Sequence, residues 1–97
     1  MRKMDYIYSA GQEKILIETA QRDTRHDMIQ QYKICRRNQR MTQAELSKRT
    51  GISQPNITRF ESGNYNPSLE MMVKVATALG MELRIELIEN GKNVGHS

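Results

Sequence analysis

The side chains best suited to chemistry lie in one short stretch near the middle of the chain and are polar without being acidic. Gln54 can form two hydrogen bonds with the edge of an adenine, and Arg59 can do the same with a guanine. Asn56 and Thr58 can add a base or phosphate contact, and Pro55 can contact the methyl group of a thymine. Taken singly, each of these residues could be a solvated helix position, but together on one outward face within a basic block they predict contact with double-stranded DNA.

A capping motif marks the start of a short helix just before this stretch. We expect Thr42 to accept a hydrogen bond from the amide of Glu45, while the Glu45 side chain returns to the Thr42 amide. Gly51 then ends the helix, because glycine tolerates the left-handed backbone that follows a helix. Thr42 and Gln43 therefore stand at a helix N-terminus, where amides and small polar side chains can hold a phosphate.

A second short helix, Gln54–Glu61, is predicted to carry the polar stretch. Ser53 is its expected N-cap, and Ile57 and Phe60 are expected to face inward because they lie three residues apart. The polar side chains are left facing outward. A helix presented with its N-terminal end outward fits the major groove of DNA, where its first residues reach base edges.

The positive charge of the chain is concentrated around these two helices. The whole chain carries +4, whereas residues 28–63 alone carry a net +5. Residues 1–27 are balanced, and residues 64–97 carry a net −1. A solvated basic face would have the same composition, but combined with the outward polar side chains the block favours a surface that meets a polyanion.

Other kinds of site find little support in the sequence. Cys35 is the single cysteine, which excludes an internal disulfide or a cysteine cluster for zinc, and we expect it to serve packing. His26 and His96 are expected to be solvated. Without a nucleophile and base set, a phosphate loop or metal-ligand spacing, neither an enzyme nor a cofactor is expected. A pure protein-interaction module would have lost the outward polar residues, which are intact.

No feature of the sequence suggests a membrane or secretion. No apolar run approaches the roughly 20 residues of a membrane span. Arg2 and Lys3 are basic, but Asp5 and Tyr6 follow where a signal peptide needs an apolar stretch. We therefore expect a cytoplasmic protein.

The N-terminal third is predicted to extend an all-α bundle. We expect residues 1–11 to form a loosely held arm and Gln12–Gln21 to form a short helix. A short strand is the alternative there, because three apolar residues are adjacent. A further helix is expected to begin at Asp23 or Thr24 and to run to about Gln39.

Two more elements are predicted after the Gln54–Glu61 helix. Ser68 is expected to cap a helix over Leu69–Leu79, followed by Gly80. The expected apolar stripe of this helix is Leu69, Met72, Val73, Ala76 and Leu79. From Met81 to Glu89 apolar and charged residues alternate, which indicates a half-buried strand presenting Leu83, Ile85 and Leu87. A lone strand needs a partner for its backbone groups, and the simplest partner is the same strand of a second copy, so we expect a homodimer.

The central segment closely resembles the XRE-type helix-turn-helix family of phage repressors and Cro. The matching stretches are Met41-Thr42-Gln43-Ala44-Glu45-Leu46-Ser47, Thr50-Gly51-Ile52-Ser53-Gln54, Ile57-Thr58-Arg59-Phe60-Glu61-Ser62-Gly63 and Asn66-Pro67-Ser68-Leu69. The resemblance covers roughly residues 29–80. It departs at Arg40, where the family often has a glycine at the end of the first helix.

The resemblance implies a lambda-repressor-like helix-turn-helix bundle that binds DNA. It implies that Gln43 touches phosphate and steadies the recognition helix, and that Arg36 and Glu61 form a structural ion pair. The assigned base contacts are Gln54, Pro55, Asn56, Thr58 and Arg59. The assigned phosphate contacts are Thr42, Gln43, Ser53, Ser62 and Asn64. A dimer would place two recognition helices in successive major grooves of a near-palindromic operator.

The segments outside this core are similar in architecture to antitoxins of HigA type, which repress the operon they share with a RelE/HigB-like toxin ribonuclease. By that resemblance residues 1–27 would dock on the toxin, residues 28–80 would bind DNA, and residues 81–97 would dimerise. The toxin-docking candidates are Tyr6, Ile7, Tyr8, Ile15 and Leu16. The alternatives are a free-standing XRE-family repressor with no toxin partner and, for the arm, a segment folded over its own core.

Overall fold

The computed structural model describes residues 5–89, which form a bundle of four helices preceded by a small hairpin. The helices are α1 (Ile17–Asn38), α2 (Gln43–Thr50), α3 (Gln54–Ser62) and α4 (Leu69–Ala78). The hairpin strands are β1 (Tyr6–Tyr8) and β2 (Lys14–Leu16). They pair antiparallel, with Ile7 opposite Ile15. The helical bundle predicted from the sequence is confirmed. No helix in the described part of the chain is both long and apolar enough to cross a membrane.

Helix α1 is continuous, which corrects the prediction of two helices separated near residue 23. It begins at Ile17, directly after β2, and passes through Asp23 and Thr24 without a break. Both residues are exposed, where their low helix propensity costs less than about 1 kcal/mol each. The predicted helix from Gln12 is wrong in its first five residues, and the strand alternative holds for the last three of them, Lys14–Leu16. The predicted boundary at residue 27 therefore falls inside α1.

The hydrophobic core lies where all four helices meet. Leu46 of α2, Ile57 and Phe60 of α3, and Val75 of α4 have no exposed surface. The rings of Phe60 and Tyr32 meet edge to face with centroids 5.0 Å apart. The Tyr32 hydroxyl donates to a backbone carbonyl of α4, and burial raises the pKa of Tyr32. The inward orientation predicted for Ile57 and Phe60 is confirmed.

The buried face of α4 is rotated from the predicted stripe. Its buried or half-buried core residues are Met71, Met72, Val75, Ala76 and Ala78, and the C-cap Leu79 is buried as well. Leu69 and Val73, which were predicted to be buried, are 56% and 45% exposed. Val73 and Val75 are two positions apart, or about 200° around a helix, so only one of them can face the core. Leu69 is the first residue of the helix and lies at its outer end.

The turn between α1 and α2 contains a left-handed residue. Arg40 has φ 57°, a conformation that costs a residue with a Cβ about 1–2 kcal/mol. Its amide donates to the Arg37 carbonyl at 2.9 Å, and the amide of Met41 donates to the Arg36 carbonyl at 3.1 Å. This is the position at which the sequence departs from the glycine of the family pattern.

Residues 81–89 follow α4 without regular secondary structure in the single chain. Leu83 is half-buried against the core, while Ile85 and Leu87 are exposed. The predicted strand depends on pairing with a second copy, so it stays a prediction. The predicted tail with His96, and Arg2 and Lys3 of the arm, lie outside the described residues.

Candidate nucleic-acid interface

Helix α3 presents most of the predicted base-contacting side chains to solvent. Gln54, Pro55, Asn56 and Arg59 are exposed on the face opposite the core. The Ser53 hydroxyl accepts a hydrogen bond from the Asn56 amide at 3.3 Å and so caps the helix as predicted. Pro55 lies in the first turn, where its missing N–H removes no intrahelical bond.

Helix α2 begins close to the same surface, with half of the predicted capping box. The Thr42 hydroxyl accepts from the Glu45 amide at 3.0 Å. The Glu45 carboxylate pairs with Arg49 one turn later, at 2.9 Å, and not with the Thr42 amide, which corrects that part of the prediction. A capping hydroxyl uses a lone pair, so the protons of Thr42 and Ser53 remain able to donate to a phosphate.

A buried ion pair joins α1 to the end of α3. The Arg36 Nε donates to one carboxylate oxygen of Glu61 at 2.7 Å, and its Nη2 donates to the other at 2.9 Å. The two side chains are 11% and 4% exposed. The remaining Nη1 donates to the Met41 carbonyl at 2.7 Å, which also ties down the turn before α2. One guanidinium thus connects three segments.

Gln43 and Thr58 extend this pair towards the surface. The amide nitrogen of Gln43 donates to Glu61 at 3.0 Å, and its oxygen accepts from the Thr58 hydroxyl at 2.8 Å. A carboxylate only accepts, so the nitrogen end of Gln43 must face Glu61. The proton of Thr58 is therefore used within the protein, which leaves its methyl group and lone pairs for DNA. Gln43 retains a second N–H for a phosphate.

The charge of Glu61 is stabilised by this network. Burial raises the pKa of Glu61, but hydrogen bonds from Arg36 and Gln43, together with the charges of Arg36 and Lys33, lower it by more. The pKa of Glu61 consequently lies below its ordinary value. The hydrogen bond to Glu61 raises the pKa of Arg36, against the opposing effect of burial, so the pair is charged at neutral pH.

The last two predicted phosphate contacts, Ser62 at the end of α3 and Asn64 in the turn that follows, are joined by a hydrogen bond. The Ser62 hydroxyl donates to the Arg59 carbonyl at 2.7 Å and accepts from the Asn64 amide at 3.1 Å. Its proton is thus occupied, whereas the side chain of Asn64 is exposed. Both assignments stay predictions, with Asn64 the better placed of the two as a donor.

Two residues that the sequence reasoning did not single out support this turn. Arg25 of α1 donates from Nε to the Gly63 carbonyl at 2.8 Å and from Nη1 to the Asn66 side chain. Tyr65 lies under the guanidinium of Arg59, whose central carbon is 4.8 Å from the ring centroid. The contact of Arg25 with Gly63 joins residues 38 positions apart, so no local sequence pattern could predict it. For the contact of Tyr65 with Arg59, the one local sign in the sequence is an aromatic residue two positions after Gly63.

The hairpin forms a separate exposed surface. Tyr6, Ile7 and Tyr8 are 45%, 50% and 69% exposed, and Ile15 and Leu16 are half-buried. The three β1 residues do not fold over the core of their own chain. Within residues 5–89 no cluster of His, Cys, Asp or Glu is arranged to hold a metal ion. Cys35 is half-buried against the core.

A helix-turn-helix family model matches residues 33–85, more than half of the chain. The chain belongs to the helix-turn-helix family. An HTH-type transcriptional regulator from Sinorhizobium fredii is 42% identical over 56 residues, which are 58% of this chain and 29% of that protein. One from Archaeoglobus fulgidus is 42% identical over 43 residues, 44% of this chain and 61% of that protein. The matches thus cover less than two thirds of these relatives' lengths.

Among solved structures, the chain is similar to one from a toxin–antitoxin module of Streptococcus pneumoniae. The TM-score is 0.59, the sequence identity is 27%, and the alignment covers 84% of both chains. The helix-turn-helix match begins at residue 33, and residues 33–97 are 65 of the 97 residues of the chain, or 67%. An alignment over 84% of this chain must therefore include residues before 33.

Proposed function

We propose that this chain is a sequence-specific DNA-binding transcriptional repressor in which α3 is the recognition helix. The observation that carries the proposal is the exposed polar face of α3 at its N-terminal end, held from behind by the Arg36–Glu61–Gln43 network. The face offers side chains that pair with base edges, and the network fixes the helix that presents them. The similarity to HTH-type transcriptional regulators supports a role in transcription regulation.

In the proposed mechanism, a homodimer places two copies of α3 in successive major grooves of a near-palindromic operator, about one helical turn apart. Pairing of residues 81–89 between copies would cover the exposed Ile85 and Leu87. Affinity would come mostly from phosphate contacts and fall steeply with salt.

Arg59→Ala tests the assignment of α3. A duplex selected in vitro with the full chain serves as operator, and a scrambled duplex serves as reference. We expect the variant to lose about 1–3 kcal/mol of binding free energy on the operator and to discriminate less at one base pair. Arg22→Ala removes the same charge from the exposed surface of α1 and is expected to leave that choice intact. Equal losses of Arg59→Ala on operator and scrambled DNA would contradict the assignment.

We further propose that the repressor is an antitoxin, which neutralises a RelE/HigB-like toxin ribonuclease and represses their shared operon. Two observations support this finer proposal. The similarity to the chain of a toxin–antitoxin module includes part of the segment before residue 33. The hairpin also exposes Tyr6 and Tyr8 on one of its faces and Ile7 on the other, and none of the three belongs to the core of the chain.

The test is co-expression of the full chain with the product of the neighbouring gene. Replacing all three β1 residues by serine removes these exposed side chains and leaves α1 whole, whereas deletion of residues 1–27 would cut α1 in two. We expect a stoichiometric complex that inhibits ribonuclease activity, and its loss in the triple variant with operator binding kept. Operator binding without any complex would establish the free-standing repressor instead.

A further inference from the structure

The guanidinium of Arg59 lies over an aromatic ring rather than in open solvent. Its central carbon is 4.8 Å from the ring centroid of Tyr65, within the range of a cation–π contact. Arg59 belongs to the last turn of α3, and Tyr65 to the loop between α3 and α4. An exposed arginine otherwise samples many rotamers, so this contact restricts where its charge resides.

The ring is itself held in place. Tyr65 is half-buried and packs against the core, and its hydroxyl donates to Met71 Sδ on α4. The loop that carries it turns at Gly63, which has φ 77°. Arg25 anchors the same turn by donating to the Gly63 carbonyl at 2.8 Å. The position of the ring therefore derives from the fold and needs no DNA.

The contact with Tyr65 leaves the hydrogen-bond donors of the arginine available. Within residues 5–89 the Arg59 guanidinium donates no hydrogen bond, and its N–H groups form the planar fork that matches two acceptors. A guanine presents two such acceptors, O6 and N7, in the major groove. Arg59 can thus keep its contact with Tyr65 while it pairs with a guanine.

We propose that Tyr65 is a positioning residue for base recognition, which holds the Arg59 guanidinium ready for one guanine of the operator. The proposal rests on the proposed function of α3 as a recognition helix. It assigns Tyr65 an effect on the choice of one base pair, which a residue serving only the stability of the loop would not have.

The experiment compares Tyr65→Leu with Tyr65→Phe, each in the natural chain and in Arg59→Ala. Binding is measured to the selected operator and to duplexes substituted at the base pair that Arg59→Ala identifies. We expect Tyr65→Leu to lower the preference at that pair about two- to fivefold, the factor that an exposed cation–π contact supplies. Tyr65→Phe retains the ring and should retain the preference. In the Arg59→Ala chain, Tyr65→Leu should not change the preference at that base pair any further.

Urea unfolding of each variant separates recognition from stability. If Tyr65→Leu unfolds too readily, Tyr65→Met provides a second side chain without a ring. The proposal is overturned if the ring-free variant weakens all duplexes equally, or if it has the same effect with and without Arg59. A chain that selects no duplex at all would overturn the proposed function and this inference together. A selective chain whose preference ignores Tyr65 would overturn this inference alone.

Discussion

Replacing Arg36 with methionine is expected to be the most damaging single change in the network that supports α3. The methionine fills much of the space of the arginine stem but donates no hydrogen bonds. Glu61, which is 4% exposed, would keep a buried carboxylate whose one remaining side-chain donor within residues 5–89 is the Gln43 amide. The Met41 carbonyl would also lose its bond from Nη1.

The expected loss is about 3–5 kcal/mol, the usual cost of removing one partner of a buried ion pair. A domain of this size has a free energy of unfolding of about 5–15 kcal/mol, so the variant would be marginal but measurable. Urea unfolding followed by far-ultraviolet circular dichroism gives the difference between Arg36→Met and the natural chain. The double variant Arg36→Met with Glu61→Leu leaves no unpaired charge and should recover most of the loss.

The pH dependence of this difference is the sharper test. In the natural chain the pKa of Glu61 is lowered, so its contribution to stability is complete above the unfolded carboxyl value of about 4.3 and is lost as the pH falls through the folded value. Without Arg36, burial dominates and should raise the pKa above the unfolded value, so the variant regains stability as the pH falls towards 4.3. The difference between the two proteins should therefore be largest at neutral pH and shrink on acidification. A loss below about 1 kcal/mol, or one that is constant from neutral pH to pH 4, would refute the reasoning.

Two further predictions concern the turns that flank the recognition unit. Arg40→Gly should raise the free energy of unfolding by about 0.5–1 kcal/mol, because glycine adopts φ 57° without strain. The control Arg37→Gly, within α1, should lower it by a similar amount. If urea unfolding shows that both substitutions change the stability in the same direction, the reasoning is wrong. Arg25→Ala should lower the free energy of unfolding by about 1 kcal/mol and speed amide hydrogen exchange in the turn at Gly63. Arg22→Ala, at an exposed position of the same helix, should change neither quantity. Unaltered exchange in Arg25→Ala would show that the turn is stable without this side chain.

Local signals account for most of what could be predicted from the sequence. Thr42, Ser53 and Ser68 each accept the predicted capping bond, because a helix N-terminus needs only an acceptor three residues before an amide. Ile57 and Phe60 are buried as their spacing predicts. These features depend on neighbours within four residues, and such neighbours are visible in any single sequence.

The hairpin and the start of α1 depended on distant partners. Tyr6–Tyr8 finds its backbone partners in Lys14–Leu16, so the second segment becomes a strand although its apolar residues also suit a helix. Once that pairing ends at Leu16, the chain continues as one helix through Asp23. Capping residues permit a helix to start but do not require it to, and here the hydrogen bonds of a continuous helix outweigh the cap.

The division of roles within the interface could not be predicted for a related reason. Helical spacing establishes that Thr58 and Arg59 lie outside the core, but not which neighbour each one meets. In the structure the Thr58 hydroxyl donates to Gln43, and the Arg59 guanidinium lies over the ring of Tyr65. The Thr58 contact joins α3 to α2, whereas the Arg59 contact leaves the N–H groups of the guanidinium available. Two outward polar residues of one helix therefore have different roles. If α3 recognises DNA as proposed, recognition depends as much on the residues that hold its side chains as on those that would reach the bases.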